Sequence, residues 1–465
     1  MDQLMGVIAE VSEIISIPLM LLLVGGGVFL TIKLGFFQFK YFPHIVKTTV
    51  GSMFKKADGE GTVTPFQAAS SALASSIGAA NIVGVPLAIA LGGPGAIFWM
   101  WMVALIGMAT KYAEVVLGLK YRQRNEKGEF VGGPMYYIDK GLGWKWLAVL
   151  FAAVQVVFVF ASASVQSNSL AGIINGSFNI PNIVIGLLIS TIIIAVMVGG
   201  IKTIGKFAEK VVPLMALIYL FAGCIVILFH LDQVPNVFQL IFTHAFTPIS
   251  ASGGFAGAAV AAIIRWGIAR GLYSNEAGMG SAPIAHSTAV NKHPAKQGFW
   301  GAFEVFFDTI IVCTMTAIII LSTGVWKAVG ADQASQMPVE AMATVFGSSV
   351  AGMIITTAIF FFSITTILVV VFYGEKQAEY LFGYKASIVT RYVYIGAIIF
   401  GSTGSIMLIW SLLDIMIAFI VIPNMIAVLL LSGKVKEITA DYFTHHYKQS
   451  GKSTKQDEDG KENVM

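Results

Sequence analysis

Eleven apolar stretches, each read as a helix that crosses the roughly 30 Å of hydrocarbon in a bilayer, restrict this chain before any motif is considered. They fall near residues 14–33, 66–91, 96–119, 146–172, 181–200, 207–230, 254–282, 298–323, 349–373, 387–402 and 405–431. Backbone inside hydrocarbon has no water to bond, so such a chain forms a helical bundle or a closed barrel. No long alternating-strand pattern is present, and 48 glycines suit close helix packing and interrupted helices. Charged residues make up 12% of the chain, against about 25% in soluble domains, which removes a soluble fold from consideration. The expected class is an all-α polytopic membrane protein seated in a lipid bilayer.

The basic residues orient it. With Met1 outside, every Lys and Arg except Lys327 is assigned to a predicted cytoplasmic segment or to the tail, including Lys111, Arg265 and Arg270. That asymmetry predicts an outside amino terminus and a cytoplasmic carboxyl terminus in the cell membrane. The net charge of +4 says little about partners, and no nucleic acid is expected among them. The first residues, MDQLMGVIAEVSE, lack the basic region of a signal peptide, so the first apolar stretch is expected to stay. Four regions follow: 1–63 with the first span and a cytoplasmic loop, 64–230 with five helices, 231–433 with five more, and a tail, 434–465. The tail has the composition of disorder.

Stretch 66–91 is a span that its own residues interrupt. Pro86 lacks an N–H and crowds the carbonyl of Ile82, while Gly78 and Gly84 tolerate non-helical dihedrals. Carbonyls freed at membrane depth persist only where protein, ion or substrate satisfies them. Segments 66–78 and 255–267 share small-residue richness and the same interval of twelve, and each leads one group of five spans. Five is odd, so the second group enters from the opposite side. Paired interrupted helices in an inverted repeat point to a midplane binding site in secondary transporters.

The linkers are short. GGPMYYIDKG (132–141) is expected to form an interfacial helix, and MPVEAMATVF (337–346) a short covering helix in an outside loop. There is no G-x-x-x-x-G-K-[ST] phosphate loop and no H-E-x-x-H, and GMGSAP (278–283) does not match a nucleophilic-serine elbow, so catalysis is not expected. Six of the seven histidines are assigned to loops or the tail and His230 to a helix end, which argues against a metal cluster. Cys224 and Cys313 lie in apolar spans and are read as packing residues.

At GGPMYYIDKG (132–141) and GIARGLYSNEAGMGSAPIAH (267–286) the chain resembles the alanine or glycine:cation symporter family, a resemblance that spans essentially its whole length. It implies an amino-acid:sodium symporter on the five-plus-five inverted-repeat fold of the leucine-transporter type, with one extra amino-terminal helix. Sodium is then a co-transported ion, and no cofactor is expected. Within that resemblance 81–86, NIVGVP, is similar to the first broken helix, where an Asn five residues before a Pro bridges ion and substrate. Some members take glutamine or use protons, so a small neutral amino acid, alanine or glycine first, is the expected substrate.

Buried polar groups supply the candidate site. Asp308, four residues after Glu304, is placed as an ion ligand or proton site, since intramembrane carboxylates are costly and usually functional. Glu304 and Asp414 are as consistent with structural pairing to Arg265 and Arg270. Thr365 and Thr366 either back-bond to their own helix or ligate an ion. Beside the resemblance, sodium is assigned to oxygens of Ala74, Ile77, Asn81, Thr365 and Thr366, a hard-cation set, with Asp308 as a further candidate. The substrate carboxylate is assigned to the break at Gly78, Ala80 and Asn81. The ammonium is assigned to carbonyls freed around Trp266, Gly267 and Ile268. Gln166 and Trp410 are pocket-wall candidates, with Phe158 and Phe160 more readily core. The alternatives are proton coupling, or a channel, which would need an open polar pore or a filter loop that the sequence does not show.

Overall fold

The computed structural model describes residues 2–78, 80–247, 256–404 and 407–447. Helices dominate it, and each of the eleven apolar stretches carries one. The principal helices are α1 (Asp2–Lys33), α2 (Pro65–Ser76), α3 (Val85–Gly92), α4 (Ala96–Lys120), α5 (Pro134–Leu142), α6 (Lys145–Phe178), α7 (Asn182–Met197) and α8 (Gly200–Phe229). They continue with α9 (Val234–His244), α10 (Ala256–Asn275), α11 (Ala282–His286), α12 (Pro294–Val305), α13 (Thr314–Thr323), α14 (Met337–Phe346), α15 (Ser348–Phe382), α16 (Tyr384–Thr403), α17 (Met407–Leu430) and α18 (Ser432–Asp441). Among the described residues, six spans are long and apolar enough to cross a membrane, or up to eight when each bent pair counts as one. The protein is a multi-pass membrane protein.

The first break follows from local sequence. Thr64 starts α2 with a capping box: its hydroxyl accepts from the Gln67 N–H while the Gln67 side chain accepts from the Thr64 N–H, with Pro65 at the first helical position. The helix stops at Ile77, whose ψ of 94° is extended, and resumes as a π-turn over Ala80–Gly84 that leads into α3. Pro86 sits in the first turn of α3, where its missing N–H costs nothing. The two halves are bent by 45°.

The second break lies later than the sequence suggests. α10 runs unbroken through Trp266, Gly267 and Ile268, so no carbonyls are freed there. Gly267 and Gly271 instead let α4 approach: a Cβ on Gly267 would lie 2.3 Å from the Ala96 carbonyl oxygen, and one on Gly271 2.5 Å from Val103. The chain unwinds after Asn275, where Glu276, Gly278 and Gly280 take φ of 53°, 95° and 73°, and becomes helical again at α11. The register 66–78 against 255–267 therefore does not align the two breaks.

Three further expectations change. Lys111 is wholly buried within α4, and Arg265 and Arg270 lie on α10, so these three are not loop charges. α5 forms where expected, with Pro134 to Ile138 buried against the core. The tail is helical as far as Tyr447, and Tyr442 packs edge-on against Phe299 of α12. Cys313 is buried as a packing residue, whereas Cys224 is exposed on α8.

Candidate functional site

The site is built at the first break. Gly78 would normally donate its N–H to the Ala74 carbonyl one turn back. It bonds the side-chain oxygen of Asn81 instead, at 3.0 Å. Ala74 thereby loses its helical partner, and the Thr366 hydroxyl of α15 takes the vacated carbonyl at 3.0 Å, with the Phe362 carbonyl of its own helix as the alternative acceptor at 2.8 Å. Thr366 also stands 3.1 Å from where a Cβ on Gly78 would lie. Thr365, next in sequence, bonds the Phe361 and Phe362 carbonyls of its own helix, beside Met215 of α8. Of the two, Thr366 alone reaches the break.

A second π-helical stretch, Phe306–Cys313, meets the first. Asn81 Nδ2 donates to Asp308 Oδ1 at 2.7 Å and to Ser274 Oγ at 3.0 Å. The hydroxyls of Ser274 and Thr309 donate to the other carboxylate oxygen at 2.7 and 2.8 Å. Thr316 donates to the Asn81 carbonyl at 2.9 Å. Asn81, Ser274 and Asp308 are all buried, so one side chain ties the first break to the end of α10 and to the carboxylate. π-turns recur at functional sites because the extra residue turns polar groups out of the helix ladder.

A cavity of about 890 Å³ opens beside this cluster; Gly78, Gly84, Gln166, Glu276, Met279 and Thr366 are among its lining residues. It extends to Ser335 and Glu340, at the loop that holds α14. Phe158 lines it as well, while Phe160 packs into the core. Trp266 is half-buried with the Arg270 guanidinium 5.3 Å over its ring, and Gly267 and Ile268 are buried. The side chains of Ala80, Trp410 and Asp414 lie outside the described residues.

Glu304 and Asp308, four residues apart, take different partners. Glu304 pairs with Lys111 at 3.4 Å and His286 at 3.1 Å, not with Arg265 or Arg270, and His286 is held by Gln297 at 2.8 Å. All four are buried, so His286 is a core residue rather than a loop one. Sequence reasoning missed Lys111, Glu114, Ser274, Glu276, His286 and Asn424 as site neighbours. Lys111 and Glu114 were detectable as two ionisable residues three apart inside an apolar stretch. Ser274 and Glu276 lie within the motif at 267–286. Removing one partner of a buried pair costs about 3–5 kcal/mol, more than removing both. Lys111→Met is therefore expected to lower the yield of monodisperse protein in detergent several-fold, and Lys111→Met with Glu304→Gln to recover much of it on size-exclusion chromatography.

The sequence matches the sodium:alanine symporter family model over residues 1–458. The chain belongs to the sodium:alanine symporter family. It is 50% identical over 460 residues to an uncharacterized transporter, YflA, of Bacillus subtilis, covering 98% of both chains. It is 39% identical over 436 residues to the sodium/alanine symporter AgcS of Methanococcus maripaludis, covering 92% of this chain and 95% of that one. A probable sodium/glutamine symporter of Bacillus subtilis, GlnT, is 36% identical over 91% of this chain and 87% of its own. Among solved structures, MhsT in complex with L-phenylalanine matches with a TM-score of 0.61 at 14% identity, over 80% of this chain and 89% of that one. This symporter-family chain thus shares the leucine-transporter-like fold.

Proposed function

We propose that this member of the sodium:alanine symporter family imports a small neutral amino acid, alanine or glycine with glutamine as the other candidate, in symport with sodium by alternating access. It acts as a transporter and not as an enzyme, with eleven spans in two inverted groups of five after α1. The observation that carries the reading is the Ala74 carbonyl, released from its helix by the Asn81 cap and met by Thr366 across 292 residues of sequence. A carbonyl and a hydroxyl converging at a helix break are hard oxygen ligands, and Ile77, extended at the same break, adds a carbonyl. Sodium between them would gather these oxygens, with the Thr366 hydroxyl keeping its proton on the Phe362 carbonyl and offering the ion a lone pair. Asp308 and Asn81 supply a second set beside them, and the cavity at Gly78 and Gln166 takes the amino acid. The related AgcS is described as a sodium/alanine symporter, which supports the same assignment.

Uptake of labelled alanine into proteoliposomes tests it: an inward sodium gradient is expected to drive accumulation, and its collapse to stop it. Asp308, a buried carboxylate, supports the second reading. Uptake that follows a pH gradient and ignores sodium would make Asp308 the proton carrier. For orientation, the basic residues outside the helices still favour an outside amino terminus and a cytoplasmic carboxyl terminus. A cysteine placed at Gln233 is accordingly expected to react with an impermeant maleimide in whole cells, and one at Glu126 only after permeabilisation.

A further inference from the structure

The motif at 132–141 has no part in the site described so far, yet it meets the second break through a buried chain of hydrogen bonds. Gly133, with φ of 127°, turns the backbone into α5, and Pro134 follows at its first position. One turn on, the Tyr137 hydroxyl donates to Asn424 Oδ1 on α17. Asn424 Nδ2 donates to Glu114 Oε1 on α4 at 2.5 Å and to the Gly278 carbonyl at 2.8 Å. Glu114 Oε1 accepts the Gly280 N–H at 2.9 Å. Glu114, Tyr137 and Asn424 are fully buried, so each of these bonds forms without competing water. A Cβ on Gly280 would lie 2.4 Å from Pro134, and one on Gly278 2.2 Å from Leu23 of α1, so backbone alone fits between α5, α17 and α1.

We propose that Glu114, Tyr137 and Asn424 are positioning residues for transport: through them α5 sets the backbone of 278–280, and with it the Glu276 and Met279 wall of the cavity. The physical reason is that an unwound segment has no ladder of its own to fix it. Its carbonyl at 278 and N–H at 280 take their partners from this relay, whose far end is a helix outside the two broken ones. The role rests on the cavity being the amino-acid site, but the relay can be tested without that.

The test is hydrogen–deuterium exchange of the purified full-length protein, read on the peptide covering 276–281, together with alanine binding in sodium. Glu114→Ala removes the acceptor and Tyr137→Phe a single hydroxyl. Each is expected to speed exchange of that peptide and to weaken alanine binding, Tyr137→Phe by about tenfold, the effect of one buried hydrogen bond, and Glu114→Ala, which loses two, by more. Glu114→Gln, which keeps an acceptor oxygen, is expected to restore protection relative to Glu114→Ala. Tyr137→Phe, the milder change, decides the matter should Glu114→Ala fail to fold. Unchanged exchange in the variants would overturn the relay, and faster exchange with wild-type alanine affinity would overturn its link to the cavity. Were the wild type to bind no alanine, the substrate assignment would fall while the exchange result still decided the relay.

Discussion

Asn81→Ala is expected to reduce sodium-driven alanine uptake about a hundredfold, the loss of one hydrogen bond to a carboxylate and one to a backbone amide. The Asn81 amide does two things at once: its oxygen holds the Gly78 N–H away from Ala74, and its nitrogen holds Asp308 and Ser274. With alanine there, Gly78 can return its N–H to Ala74, and the carbonyl offered at the break is withdrawn. Asp308 Oδ1 gives up the bond from Asn81 while Oδ2 keeps the hydroxyls of Ser274 and Thr309, so the buried carboxylate is still partnered and extraction yield should stay normal. Uptake per folded molecule, measured in proteoliposomes after size-exclusion chromatography, separates the two effects. Wild-type uptake by this variant would reduce the break to a kink with no part in transport.

Thr366→Val is expected to raise the sodium concentration for half-maximal alanine binding about tenfold, as loss of one oxygen ligand worth about 1.4 kcal/mol would do. Valine keeps the shape of threonine and removes only the hydroxyl that faces the Ala74 carbonyl. Coupling between two ligands is reciprocal, so alanine should bind more weakly at limiting sodium and recover at high sodium. Thr365→Val is the internal comparison, because that hydroxyl bonds its own helix. Its sodium titration should stay close to that of the wild type. If both variants titrate like the wild type, the ion is held elsewhere and the oxygens around Asp308 become its candidates.

The difference between these two threonines was not legible from the sequence. Adjacent residues on a helix point about 100° apart, and a pattern of apolar and polar residues does not say which direction faces the break. For Lys111 the place inside an apolar stretch was legible and the partner was not. A lysine near the end of an apolar stretch looks like the first charge of a cytoplasmic loop, until Glu304 is brought beside it from another helix. The second break shows a related ambiguity. Small residues at 267 and 271 signal either unwinding or close approach, and the neighbour decides: with the Ala96 carbonyl and Val103 against them they serve packing.

What the sequence alone determined is the class and the first break. Span length, the small number of charges and the helix breakers Gly78, Gly84 and Pro86 act within a few residues of chain, and the motifs at 132–141 and 267–286 already carried the family. Tertiary structure decided which polar groups meet. Asn81 and Asp308 lie 227 residues apart and Thr366 and Ala74 292 apart, and their contact depends on how whole helices cross. Local sequence specifies where a helix starts and stops, because that is settled by dihedral preference and the nearest hydrogen bonds. Partners for the groups it leaves unsatisfied come from packing, which is a property of the assembled bundle.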